Sequence, residues 1–478
     1  MWPKLPDDAT PFRGGYHVIV GGVLLHLTLG TLYLFGSIQP YVASYLRLHD
    51  PSVTLEDTTL IYTVTNVGLA IFMPLVGLLQ FRIGLRGCAA VGAGLVGCST
   101  LASSAATTLE GFVALGFMFG VGMALAYTCP LVSGYAWMPG HKGMVSGFVV
   151  AGFGSGAAVF NIVAILWVNP NDASPDPTTG YFSEEVAKRV PGMYLILGSS
   201  YLALGMFGSW LLSPPPASAT GIVAGYESLD KVSSSISDEA TRKIGEPLQL
   251  HGDGEDCGDV VSEQEEVAEA CGNRGAPSTL RQYDCLELVK ELDTYFLALI
   301  MLLISVPGLF IAGNYKRIAQ WYFPDADRFL SVLGSVASLF NGAGRIIFGL
   351  ALDRFGCFAT LLVMSVTTSV LLLALSLNTL TKPFLFLAVC LLLLLYGGNF
   401  ATYPALTANM FGATTAGPNY GFVFMLFGVS SFFVMMWLSK LVTINSSEVF
   451  MTCSVLSSAG AVSVASLWTR RRRRGLPM

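Results

Sequence analysis

Gly349-Leu-Ala-Leu-Asp353-Arg354-Phe-Gly356 closes an apolar run of about 20 residues, and Gly77-Leu-Leu-Gln-Phe81-Arg82-Ile-Gly84 closes another about 270 residues earlier. The two copies share the spacing of both glycines and of the arginine, as parallel structural repeats in a membrane protein would. A second echo has nearly the same offset, again about 270 residues: Pro130, Gly147 and Gly154 are spaced like Pro404, Gly421 and Gly428. The chemistry of the motif fits a helix end. Glycines allow close helix approach, while an acid beside an arginine can form charge-assisted bonds that hold one conformation.

Outward from these copies, 53% of the chain is hydrophobic and only 12% is charged. Apolar runs long enough to cross a hydrocarbon core of ~30 Å recur about twelve times. The first block reads 17–38, 58–79, 88–107, 111–137, 144–168 and 193–212. The second reads 295–312, 329–352, 359–377, 384–403, 420–441 and 449–468, with Gly, Thr and Pro interrupting it around 411–418. The expected fold class is therefore an all-α membrane protein of about twelve transmembrane helices in two pseudo-symmetric six-helix halves. The expected units are an N-terminal half at 1–212, a linker at 213–290, a C-terminal half at 291–469 and a basic tail at 470–478.

The linker holds 15 acidic against 6 basic residues and is rich in Ser, Gly and Pro, so it reads as disordered and is the source of the chain's negative net charge of −5. An acidic balance confined to a linker argues against nucleic-acid binding. The polar stretch Met1 to Gly15 carries Asp7 and Asp8 and does not read as a cleavable leader, so the first span is expected to act as the anchor. Arg82, Arg86, His141, Lys142, Arg354 and the run Arg470 to Arg474 share one side, which predicts a multi-pass protein with both termini and the linker in the cytosol. Lys188, Arg189, Lys316 and Arg317 are exceptions on the other side. The plasma membrane is the default residence and an endomembrane is equally compatible; the oligomeric state stays open. The nine cysteines show no metal or disulfide spacing, and Asn445 starts an Asn-Ser-Ser sequon beside the membrane.

Arg345 is the one charge between Phe329 and Leu352. Placing an arginine at that depth costs at least ~2.5 kcal/mol, so it should face a polar cavity and attract an anion. The competing reading is a side chain that snorkels or binds a carbonyl, since Asp353 follows two helical turns later. His26, midway along the first span, could carry a proton, although an isolated intramembrane histidine is often an interhelical hydrogen bonder. Tyr33, Tyr127 and Tyr403 are candidate cavity linings, with helix packing as the plainer role. No nucleophile with a paired base, no Gly-Lys-Ser/Thr phosphate loop and no haem or zinc spacing occurs, so neither an enzyme, a cofactor protein nor an ATP-driven pump is expected.

The repeated loop resembles the G-x-x-x-D-R-x-G signature of the major facilitator superfamily, complete at Gly349, Asp353, Arg354 and Gly356. The first copy keeps Gly77, Arg82 and Gly84 but has Phe81 at the acidic position, which implies a differently built latch in that half. Gly134-Tyr-Ala-Trp137-Met-Pro139-Gly-His-Lys142-Gly143-Met-Val-Ser-Gly147, Tyr396-Gly-Gly-Asn-Phe400-Ala-Thr-Tyr403-Pro404-Ala and Gly30-Thr-Leu-Tyr33 resemble oxalate/formate antiporters and their monocarboxylate-transporter relatives. In that branch Asn341-Gly-Ala-Gly344-Arg345 falls where the substrate-binding arginine lies. Monocarboxylate transporters carry a proton-coupling Asp where Asn341 stands, and oxalate-type members carry a second cation where Phe427 stands.

One positive charge without a second matches a monoanion better than a dianion. The reading is a secondary transporter that moves a small organic anion, of the lactate, pyruvate or formate type, by alternating access, with protons or a counter-anion as partner. Arg345 would hold the carboxylate in a pocket shaped by Asn341, Tyr33, Tyr127 and Tyr403, and Asp353 with Arg354 would hold one gate. Transport of an amino acid or another organic solute, and a non-transporting nutrient sensor, are the alternatives.

Overall fold

The computed structural model describes residues 15–171, 173, 175–176, 180–214, 285–323, 327–377, 381–442 and 446–476. Most of the acidic linker, the N-terminal stretch and the Asn445 sequon lie outside the described residues. Twelve helices among the described residues are long and apolar enough to cross a membrane. The first six are α1 (Tyr16–Arg47), α2 (Leu55–Leu75), α3 (Arg82–Ala102), α4 (Leu109–Trp137), α5 (Lys142–Val168) and α6 (Glu184–Leu211). The second six are α7 (Leu292–Tyr315), α8 (Val332–Phe355), α9 (Cys357–Leu377), α10 (Lys382–Phe411), α11 (Ala416–Leu438) and α12 (Ser447–Arg473). Most exceed the apolar runs that announce them, because polar ends such as Glu184 and Arg470 continue the helical hydrogen bonding past the hydrocarbon.

Glycine with a left-handed backbone ends the motif in both copies. Gly84 has φ +70° and Gly356 has φ +83°, each with open space around its Cα, so backbone freedom rather than room is what the position requires. Gly84 breaks the helical run Val76–Ala102 just inside the start of α3, and at Gly356 α8 gives way to α9. The interruption at 411–418 is a third such break, with Gly412 at φ +106° between α10 and α11.

Two of the spans are irregular along their length. α1 tightens to a 3₁₀ turn at Gly30–Leu34, where Gly30 rests on the Phe153 backbone of α5. α4 is interrupted at Thr128, after which Pro130 starts its last two turns without an N–H to donate. Small residues set the helix spacing, as expected where hydrocarbon offers no driving force for association. Gly152 and Gly156 lie against the Val23 and Leu27 backbones of α1, and Gly344 and Gly397 bring α8 and α10 into backbone contact. Leu166, Leu339, Leu377 and Phe433 point outward, each at least 65% exposed, which suits a lipid-facing surface.

The two halves meet where α5 packs on α8 and α10, and where the end of α2 meets α11. At Gly143, Gly147 and Gly349 the crossing leaves no space for a side chain. The C-terminal half is stapled at the same end by Asp293 on α7, which pairs with Arg470 at 3.0 Å and Arg471 at 2.9 Å on α12. The first arginines of the basic run are thus helical, and Arg471 is buried.

Candidate substrate-binding site

Arg345 is 2% exposed in the middle of α8 and faces the opposite half. Gly344, one residue before it, seats α8 on the Leu394 backbone of α10, which fixes the face that Arg345 presents. On the far side Gly154 of α5 lies under the guanidinium, where an added Cβ would stand 2.9 Å from Nε. Nη1 donates to the Val150 carbonyl of α5 at 3.0 Å. Nε and Nη2 donate to Asn341 Oδ1 at 3.4 and 3.3 Å. The Asn341 amide in turn donates to the Leu393 carbonyl at 3.1 Å, so its oxygen is held toward the arginine.

A guanidinium has five N–H donors. Three are used here, which leaves one on each terminal nitrogen, the number that a carboxylate takes in bidentate pairing. Arg345 makes no ion pair among the described residues. Asn341 explains part of this, because an aspartate at that position would neutralise the cation that an asparagine only orients.

Aromatic rings enclose the charge. The guanidinium carbon lies 5.7 Å from the Phe153 ring centre and 5.9 Å from that of Phe400. Phe427 packs on Phe400 at 6.3 Å and is itself buried, which makes it an aromatic wall one ring removed from Arg345. Phe153 also touches Tyr33 at 5.6 Å, Tyr127 at 5.6 Å and His26 at 6.3 Å. Tyr127 stacks on Tyr420 of α11, which joins the two halves through aromatic contact. Tyr33 is 40% exposed, whereas Tyr127 and His26 are buried.

The structure therefore brings Arg345, Asn341, Tyr33, Tyr127 and His26 around Phe153. Tyr403 is placed differently: it is fully buried, and its hydroxyl donates to the Ile300 carbonyl of α7 at 3.4 Å. Phe153 and the Val150 carbonyl are the central contacts that sequence reading missed. Nothing marks a packing phenylalanine or a backbone oxygen in a sequence; the row Gly147, Gly152, Gly154 and Gly156 was the available sign that something large lies against α5.

Two helical turns beyond Arg345, Asp353 reaches the other half. Its carboxylate accepts the backbone N–H groups of Gly143 at 2.7 Å and Met144 at 2.6 Å. These are unpaired donors in the first turn of α5, whose own N-cap, His141, supplies no side-chain bond. Lys142 adds a bond to Asn409 of α10 at 2.8 Å, and Asn409 donates to the Cys357 thiol at 3.3 Å. The first copy of the motif is built otherwise: Gly77 lies against Pro418 of α11, and the Gln80 amide sits beside Gly417 and Cys129. Arg82 and Arg354 are exposed at this end.

Comparison with known proteins agrees with this architecture. Residues 22–432 match the family model described as Major Facilitator Superfamily. The chain is 29% identical over 460 residues to apicoplast pyruvate carrier 1 of Toxoplasma gondii, covering 85% of this chain and 80% of that protein. It is 20% identical to an uncharacterized transporter, YhjX, of Escherichia coli strain K12, covering 88% of this chain and 86% of the relative. Among solved structures, the E. coli fucose:proton symporter FucP superimposes with a TM-score of 0.62 at 13% identity, over 95% of this chain and 99% of that one. The proton:xylose symporter XylE gives 0.61 at 13% identity, over 96% and 95%. With a family match that runs from α1 into α11, two six-helix halves and a loop motif repeated in each, the chain belongs to the Major Facilitator Superfamily of membrane transporters.

Proposed function

We propose that this transporter carries a small monocarboxylate across its membrane by alternating access, as proton symport or anion exchange. The observation that carries the reading is Arg345: a buried cation between the halves, without an acidic partner among the described residues and with one spare N–H on each terminal nitrogen. A carboxylate would neutralise it in the geometry that a guanidinium favours. Asn341 orients the cation, and Tyr33 and Tyr127 line the approach. The pyruvate named for the T. gondii relative supports the same substrate class.

The halves rock about this site, and the cap from Asp353 to α5 holds the end bearing Arg82, Lys142 and Arg354 shut, the end expected to be cytosolic. The test is uptake of labelled lactate, pyruvate, formate and oxalate into proteoliposomes, with and without a pH gradient or an internal carboxylate. Saturable monocarboxylate uptake that Arg345→Gln abolishes is the expected result. Unchanged uptake in a correctly inserted Arg345→Gln protein, or no uptake of any of the four by folded protein, overturns the reading.

A further inference from the structure

His26 is fully buried in α1, and its Nδ1 lies 3.1 Å from the Gly22 carbonyl one turn earlier. A carbonyl oxygen can only accept, so Nδ1 carries the proton and donates it. In the neutral ring this fixes the tautomer and leaves Nε2 as a bare lone pair. That Nε2 is buried and has no hydrogen-bond partner among the described residues. An unmet buried acceptor carries a desolvation cost, which a ligand that donates to it recovers.

The orphan nitrogen belongs to the same aromatic cluster as the cation. The His26 ring lies 4.8 Å from Tyr127 and 6.3 Å from Phe153, and Phe153 lies 5.7 Å from the Arg345 guanidinium carbon. Arg345 already supplies the positive charge of the site, so the imidazole contributes an acceptor and not a second cation. Resting on the monocarboxylate reading, we propose that His26 selects the substrate by its 2-substituent: Nε2 accepts the hydroxyl of a 2-hydroxy acid while Arg345 holds the carboxylate. A 2-oxo acid offers only another acceptor at that point, and two facing lone pairs repel.

The test is competition. Uptake of labelled L-lactate into proteoliposomes at one fixed pH is inhibited with unlabelled lactate, pyruvate, glycolate and glyoxylate. In the wild-type protein each 2-hydroxy acid should inhibit at a concentration up to about tenfold lower than its 2-oxo counterpart, as one net hydrogen bond implies. His26→Phe should weaken the hydroxy acids and leave the oxo acids nearly unchanged. His26→Gln, whose amide can donate as well as accept, should tighten the oxo acids instead, a response that mere helix packing would not produce. Equal inhibition by both classes in the wild-type protein, or a hydroxy-acid preference that survives His26→Phe, overturns the proposal while leaving monocarboxylate transport intact. Absence of uptake of any of these acids removes the underlying reading and the proposal with it.

Discussion

The Asp353 carboxylate caps α5 in trans, taking the N–H groups of Gly143 and Met144 at 2.7 and 2.6 Å, so an acid of one half completes a helix of the other. Replacing such a cap costs about 1 kcal/mol, and its charge adds to the interaction with the helix N-terminus. Asp353→Ala should therefore open this end more often. The buried Cys357 thiol beside Asn409 reports on it: its modification by N-ethylmaleimide, followed by mass spectrometry, should accelerate by roughly fivefold or more. An unchanged rate would count against the latch.

Gly349 meets Gly143 and Gly147 with no room for a Cβ. Gly349→Val should prevent closure of this end, cutting uptake by at least roughly tenfold while the protein still inserts, because a state that cannot form interrupts the cycle. Cys357 should then react rapidly with or without substrate. Full transport by this variant would show that the halves need not close here.

Asn341→Asp would place a carboxylate where Oδ1 now receives two Arg345 N–H groups. The new acid would neutralise the cation and compete with substrate, raising KM by about tenfold or more at neutral pH. Protonation of that acid releases Arg345, so uptake by the variant should rise as pH falls and separate from the wild-type profile. A pH profile parallel to wild type would contradict the assigned geometry.

Phe427→Lys introduces a second cation against Phe400, the ring that covers Arg345. Oxalate should become the better competitor and lactate the worse, each by about tenfold, because two fixed charges match a dianion. Competition assays that show no change in the oxalate-to-lactate ratio would place Phe427 outside the recognition surface.

Asp293→Asn leaves the buried Arg471 without its carboxylate. Breaking a buried pair costs about 3–5 kcal/mol, so the thermal transition of the detergent-solubilised protein should fall by several degrees. Uptake per folded molecule should change little, since the pair lies within one half.

Much of the fold was legible because membrane burial writes itself into hydropathy and because Gly84 and Gly356 recur at a fixed offset. Arg345 stood out for a similar reason, as a charge in an apolar run. What the sequence withheld were rotations and backbone partners. Tyr127 and Tyr403 both lie just ahead of the paired prolines, three residues before Pro130 and one before Pro404, yet the Tyr403 hydroxyl turns to Ile300 on α7 while the Tyr127 ring stacks on Tyr420. The pairing of Asp293 with Arg471 spans 178 residues, and the Asp353 cap binds main chain; neither leaves a local pattern. The Phe81 departure did indicate an asymmetric motif, and the structure places Gln80 and Gly77 against α11 at that end.

The guanidinium of Arg345 rides on α8 while its carbonyl partner Val150 rides on α5. In the anion-exchange form of the proposed reading, a bound monocarboxylate brings the net charge of this site to zero, so the loaded carrier crosses between its two faces without electrical work. The empty carrier makes the same excursion with one positive charge uncompensated. A membrane potential acts on such a charge with up to ~2.3 kcal/mol per 100 mV for a full crossing of the field. Voltage would thus bear on the return of the unloaded protein, and exchange of one anion for another would be blind to it.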